Sequence, residues 1–319
     1  MSRTRLLIVI MLLLSFLSAS GCTGTSDTDD APEQPDSPEP IPEGPEAEEE
    51  VEKGTGGNAL ASEPETVNSE TTGQIQTLTV NITAEDQEYP AYISAPAEDG
   101  EYPAVVLIHS FNGLEQGYQD MADRLAADGF VVVAPQWQTY SRSPSDSGVE
   151  ALVRSSINYL KNRDDVDPEK LGLTGFCAGG RYTMLFLPQV EEFKSGVAWY
   201  GFPYSGGTEV QPDEPASMID QLEDPMLIIH GTRDEPSNIS EIYRYAGELD
   251  AADKYFELKV YQGEPHGFMI KEGELSESFV AQDAYDEMVD FFNRTLSNPA
   301  EIYFQKSSRK HNPEYEDCL

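Results

Sequence analysis

The feature that most narrows the fold is the run Gly175-Phe176-Cys177-Ala178-Gly179-Gly180, set where an apolar strand (Leu171-Gly172-Leu173-Thr174) hands over to a short helix. A chain that turns sharply from strand to helix leaves no room for side chains beside the apex residue. Glycines therefore flank that residue at two-residue spacing. Here the apex is Cys177, a thiol and so a potential nucleophile. The same turn aims the backbone N–H of Ala178 at the place where a substrate oxyanion would form. An acid and a base follow: Asp234 in His230-Gly231-Thr232-Arg233-Asp234, and His266 in Gly263-Glu264-Pro265-His266-Gly267-Phe268. Cys177, Asp234 and His266 are the candidate catalytic residues, in the order nucleophile, acid, base.

The surrounding pattern agrees with such a turn. Residues 76–82 alternate as a strand, and Tyr92-Ile93-Ser94 reads as another. Ala104–Ile108, Val131–Ala134, Val197–Tyr200 and Met226–Ile229 are continuous apolar runs, the sign of strands buried on both faces. Phe256–Val260 adds a further strand. Between them lie amphipathic helices carried by Leu114 to Leu125 (ended by Gly129), Val149 to Leu160, residues 240–252, and Ala281 to Phe292. Buried strands alternating with helices predict an α/β fold with a mostly parallel central sheet and helices on both faces. Ligands bind such sheets at the carboxyl ends of the strands. Ser110, Cys177, His230–Asp234 and His266 all follow predicted strand ends.

Gly-Phe-Cys-Ala-Gly-Gly-Arg (175–181), Trp-Tyr-Gly (199–201), His-Gly-Thr-Arg-Asp (230–234) and Pro-His-Gly-Phe (265–268) resemble the dienelactone hydrolase family in order and spacing. The likeness spans roughly residues 76–296, and the cysteine elbow is its specific part. The resemblance implies an α/β-hydrolase fold and a Cys-Asp-His triad of Cys177, Asp234 and His266. It implies hydrolysis of a small-molecule carboxylic ester or lactone through an acyl-thioester, with no metal or organic cofactor. In the loop His109-Ser110-Phe111-Asn112-Gly113 it points to the Phe111 N–H as the second oxyanion donor beside Ala178.

The residues suit that chemistry. A thiol of pKa about 8.5 needs deprotonation to attack, and the helix N-terminus after Cys177 favours the thiolate. His266 can take and return the proton, and Asp234 can hold the imidazole in its useful tautomer. Two departures stand out. Dienelactone hydrolases carry a glutamate in the oxyanion loop where this chain has Ser110. The segment from Gln136 to Ser147 is also short where the type enzymes carry an arginine for the substrate carboxylate. Ser110 and Arg181, with Arg142, are the candidate substrate-binding residues.

The ends of the chain have a different character. Arg3 and Arg5, the apolar run Leu6–Leu17 and small residues before Cys22 read as a signal peptide over residues 1–21, with Cys22 at a lipobox-like site of lipidation. An uncleaved anchor and plain secretion are the alternatives. All three put the protein outside the cytoplasm, and the first attaches it to the membrane. Residues 22–73 are expected to be an acidic disordered tether. The catalytic domain is expected over 74–297, and a C-terminal tail over 298–319. Residues 23–73 contribute −14 and the leader +2, which leaves −26 of the total −38 for residues 74–319. So acidic a domain repels nucleic acid, and suits a salty habitat where the repulsion is screened.

Blander readings stand beside these. Cys177 could be a small buried residue or a disulfide partner of Cys318. His109 and His230 end buried strands and are expected to make structural hydrogen bonds. Glu235 and Glu264 are nearby carboxylates that compete with Asp234 for His266. Trp137, Tyr140 and Tyr204 could line a pocket, while Trp199 fits core packing better. Asn81, Asn238 and Asn293 open glycosylation sequons of a kind common by chance. Other functions on this fold are a thioesterase, an acyltransferase, a peptidase or a tethered binding protein without turnover. Monomer and dimer are equally open.

Overall fold

The structure, a computed structural model, describes residues 66–297. The expected signal peptide, Cys22, most of the tether, and the tail with Cys318 lie outside the described residues.

The apolar runs form strands of one nine-stranded sheet: β1 (Thr66–Thr72), β2 (Ile75–Ala84), β3 (Gln87–Pro96), β4 (Tyr102–Ile108), β5 (Val131–Pro135), β6 (Val166–Phe176), β7 (Phe193–Trp199), β8 (Met226–Arg233) and β9 (Phe256–Pro265). Their order is β1-β2-β3-β5-β4-β6-β7-β8-β9. β4 to β9 run parallel, and β1 to β3 extend the sheet antiparallel beyond β5. This is the mostly parallel α/β sheet that the sequence predicts.

The helices are α1 (Gln116–Ala127), α2 (Asp146–Lys161), α3 (Ala178–Phe186), α4 (Ile239–Ala251) and α5 (Phe279–Ser297). Successive strand residues face opposite sides, and the core divides accordingly. Ala104, Val106 and Ile108 pack with residues of α2, α3 and α4. Val105 and Leu107 pack with α1 and α5 on the other face. Burial on both faces is why these strands read as unbroken apolar runs. Among the described residues, no helix is long and apolar enough to cross a membrane.

One expected boundary moves. β1 falls inside the segment assigned to the tether, and pairs with β2 from Thr66↔Val80 to Thr72↔Ile75. Its sequence, Thr-Val-Asn-Ser-Glu-Thr-Thr, is acidic in company but rich in β-branched residues. An edge strand needs only backbone pairing on one side, so composition did not betray it.

The chain leaves β4 for β5 on one side and returns across β4 to β6 on the other. That reversal opens a crevice between the carboxyl ends of β4 and β6. Ile108 pairs with Gly175 there, so the loop after β4 and the turn after β6 are neighbours.

Candidate active site

Cys177 occupies the turn between β6 and α3 with φ 58° and ψ −112°. A non-glycine residue held there costs about 1–3 kcal/mol. The turn is fixed from both sides: Cys177 N–H donates to Trp199 O (3.1 Å), and Cys177 O accepts from Arg181 N–H (3.0 Å). The glycines answer to close approach. A Cβ on Gly175 would overlap Gly179 O, and one on Gly179 would overlap Ile108 O. The sulfur-bearing residue is half-buried and Cys177 is free of any disulfide.

Behind the turn, Trp199 stacks on Phe176 with centroids 5.1 Å apart and donates from Nε1 to Thr174 Oγ1 (3.2 Å). It is fully buried, in keeping with the core role expected of it.

His266 follows β9, and Asp234 follows β8. Their strands pair directly, which brings His266 Nδ1 to 2.8 Å from Asp234 Oδ2. Asp234 is buried; its Oδ1 accepts Ser237 N–H (2.8 Å), and His230 Nε2 lies 3.4 Å from Oδ2. Glu235 is exposed, and Glu264 lies at the end of β9, so the competition for His266 goes to Asp234. His230 Nε2 also bonds Ser237 O (2.8 Å), the structural role expected of it.

Burial lowers the basicity of His266, but the Asp234 hydrogen bond and the neighbouring Cys177 outweigh it, and its pKa is pushed up to about 9. Nε2 is buried and makes no aligned hydrogen bond. Cys177 acts on the imidazole both as a hydrogen-bonding neighbour and by its charge, although the contact lies outside ordinary hydrogen-bond geometry. Such pairs are commonly loose before substrate binds. Tyr200 packs edge-on against His266 at 5.0 Å, and Phe202 lies at 5.5 Å.

Two backbone N–H groups beside the crevice are without partners among the described residues. Ala178 is the first residue of α3, so its N–H has no partner within the helix. In the loop after β4, the Phe111 N–H makes no hydrogen bond among the described residues, and its side chain is 37% exposed. Ser110 is buried, and its hydroxyl accepts Asn112 N–H (3.2 Å), so it serves the loop's own shape.

The expectation for Arg181 is corrected. It is 3% exposed and engaged on every side: bidentate to Asp146 (2.7 and 2.9 Å), and to the carbonyls of Ser205 and Asp213 (2.8 Å each). A guanidinium so held has nothing left for a substrate. The sequence does not mark this role, because the Asp146 partner lies 35 residues away. Arg142, by contrast, is exposed, with its guanidinium 4.7 Å over the Phe111 ring.

The aromatic candidates scatter. Trp137 is buried against His109, Tyr140 stands edge-on to Tyr89, and Tyr204 bonds Glu248. Phe202, Ser237 and Gln138 went unremarked in sequence. Ser237 reaches Asp234 through its main-chain N–H and Gly201 O through its hydroxyl, and the sequence marks neither contact. Among the described residues, no group of three or more His, Cys, Asp or Glu side chains is spaced to hold a metal ion.

The profile of the dienelactone hydrolase family matches residues 89–296. The chain belongs to the dienelactone hydrolase family. It is 28% identical over 233 residues to a Methylorubrum extorquens protein named "Putative carboxymethylenebutenolidase", covering 67% of this chain and 80% of that protein. It is 29% identical over 213 residues to "Protein usf" of Aquifex pyrophilus, covering 60% and 88%. Its fold matches the crystal structure of a "Putative Dienelactone Hydrolase" from Klebsiella pneumoniae with a TM-score of 0.64 and 24% identity, covering 70% of this chain and all of that one. The acylaminoacyl peptidase of Pyrococcus horikoshii shares the fold at a TM-score of 0.59 and 18% identity, over 42% of its length. As a dienelactone hydrolase-like protein, the chain is a hydrolase.

Proposed function

We propose that this hydrolase cleaves small carboxylic esters or lactones through Cys177, His266 and Asp234. The observation that carries the reading is the 2.8 Å bond from His266 Nδ1 to a fully buried carboxylate, with the elbow cysteine as the other neighbour acting on the imidazole. Asp234 can only accept, so Nδ1 donates and Nε2 is the nitrogen that serves the sulfur.

The steps follow from these groups. The proton shared by the pair rests on Nε2, as the raised His266 pKa favours, and the Cys177 thiolate attacks the carbonyl carbon. The carbonyl π pair moves to oxygen, where the N–H groups of Ala178 and Phe111 receive it. Collapse expels the alkoxide, which takes the proton from Nε2 and leaves an acyl-thioester. Neutral His266 then draws a proton from water. The hydroxide releases the acid, and the Cys177–His266 pair is restored. An imidazole with its pKa near 9 is well suited to carry the proton that the alkoxide needs.

For the whole protein we propose an extracytoplasmic setting, with Cys22 as a lipid anchor and the acidic segment as tether. The basis is the leader and charge pattern alone. Release of the protein from membranes by Cys22→Ala would test it.

The reaction is tested with p-nitrophenyl acetate. Wild type turns over and shows a transient acetyl adduct on Cys177 by mass spectrometry. Cys177→Ala is expected to lose activity by at least about 10³-fold. Full activity in that variant would sink the reading. Peptide anilides and acyl thioesters in the same assay separate the peptidase and thioesterase alternatives.

A further inference from the structure

Resting on that reading, we propose that His109 is a positioning residue: its Nδ1–H holds the Ser110 carbonyl and thereby aims the Phe111 N–H at the substrate oxygen. Ser110 C=O and Phe111 N–H belong to one planar trans peptide, so they point in opposite directions. Whatever grips the carbonyl sets the direction of the donor.

The grip is specific. His109 Nδ1 lies 2.8 Å from Ser110 O, and Gly113 N–H reaches the same oxygen at 3.2 Å. A carbonyl can only accept, so Nδ1 carries the proton. The other nitrogen, Nε2, is buried without a partner. A buried bare lone pair costs less than a second buried N–H, and far less than a buried charge. His109 is therefore neutral and fixed as the Nδ1–H tautomer. Burial supports this by pushing its pKa down to about 4.

The ring itself cannot swing. It is fully buried and stacked on Trp137, with centroids 5.2 Å apart and planes 19° off parallel. The neighbouring carbonyls are held as well: Trp137 Nε1 donates to His109 O (3.2 Å) and Gln138 Nε2 to Phe111 O (3.1 Å). Three consecutive carbonyls of the loop are thus pinned by named donors, while the Phe111 N–H has no partner among the described residues. The segment after β5 supplies two of these donors. The stretch that is short beside the family's type enzymes therefore serves as the loop's brace.

The experiment compares His109→Asn, which can still donate, with His109→Leu, which has the same shape and cannot. Two readouts are taken: kcat on p-nitrophenyl acetate, and protection of Cys177 from iodoacetamide by butyraldehyde. The aldehyde adds to the thiolate, and its oxygen needs the same donors; alkylation by iodoacetamide does not. One oxyanion donor is worth about 10²–10³ in rate. His109→Leu is expected to lose about 100-fold in kcat with KM within about threefold, and to lose butyraldehyde protection. His109→Asn should recover at least tenfold of both, while direct alkylation stays near wild type in each. Equal behaviour of the two variants, or alkylation falling in step with kcat, overturns the proposal. If His109→Leu does not fold, His109→Asn alone decides: a loss beyond 100-fold with normal alkylation overturns it. If wild type itself turns over no ester, the protection readout still reports on His109. That outcome indicts the hydrolytic reading separately.

Discussion

His266 holds its proton more tightly in the folded protein than an ordinary imidazole does, about 9 against 6.5, because Asp234 and Cys177 favour the charged ring more than burial opposes it. A raised folded-state pKa adds stability that is complete below about 6.5 and disappears as the pH climbs through 9. Urea midpoints measured at pH 6, 7.5 and 9 should therefore fall across that range, and His266→Gln should flatten the fall. Asp234→Asn is the sharper kinetic probe. The amide can turn its N–H₂ toward Nδ1 and favour the wrong tautomer, so kcat is expected to drop about 10³–10⁴-fold while the folded signal persists. A loss of less than tenfold would mean that Asp234 does not orient the ring. These three residues were legible in the sequence because each ends a strand and each motif carries its own glycine. The tautomer and loop braces were not legible. His109, Trp137 and Gln138 are ordinary residues whose roles exist only once the loop after β5 lies beside the loop after β4.

At the scale of elements, the buried pair Arg181–Asp146 ties α3 to the first turn of α2 and to the loop running from Ser205 to Asp213. Removing one member strands the other as an uncompensated buried charge, a loss of about 3–5 kcal/mol. Arg181→Met should show that loss in chemical denaturation. Its KM for a neutral ester and for one bearing a carboxylate should change by the same factor, since the guanidinium meets no substrate. A selective effect on the carboxylate ester would restore the substrate role. The helix–strand alternation was readable because burial on both faces leaves continuous apolar runs in the central parts of β4 to β8. β1 was not, since the stretch Thr-Val-Asn-Ser-Glu-Thr-Thr carries no apolar alternation in sequence.

Across the whole molecule, charge and sheet geometry govern behaviour. A net −38 in 319 residues sets like charges against one another over the surface. Going from 0.1 to 1 M NaCl shortens the screening length from about 10 Å to 3 Å. Tm is expected to rise by at least about 3 °C, equivalent to roughly 1 kcal/mol for a domain of this size. A flat or falling Tm in a differential scan would show that the acidity is not limiting. The sheet imposes a different kind of control. β7 alone separates the strand that presents the sulfur from the strand that leads to the carboxylate, and Trp199 is paired to Phe176 on one side and to Ile229 on the other. Two strand spacings, about 10 Å, are what a single imidazole must bridge. The indole of Trp199 stands off the sheet face, stacked on Phe176 beside Cys177 and packed near Phe268, two residues past His266, so it backs both ends of that bridge. Thinning it to Phe or Leu would let the jaws drift, so turnover should suffer well before the protein melts.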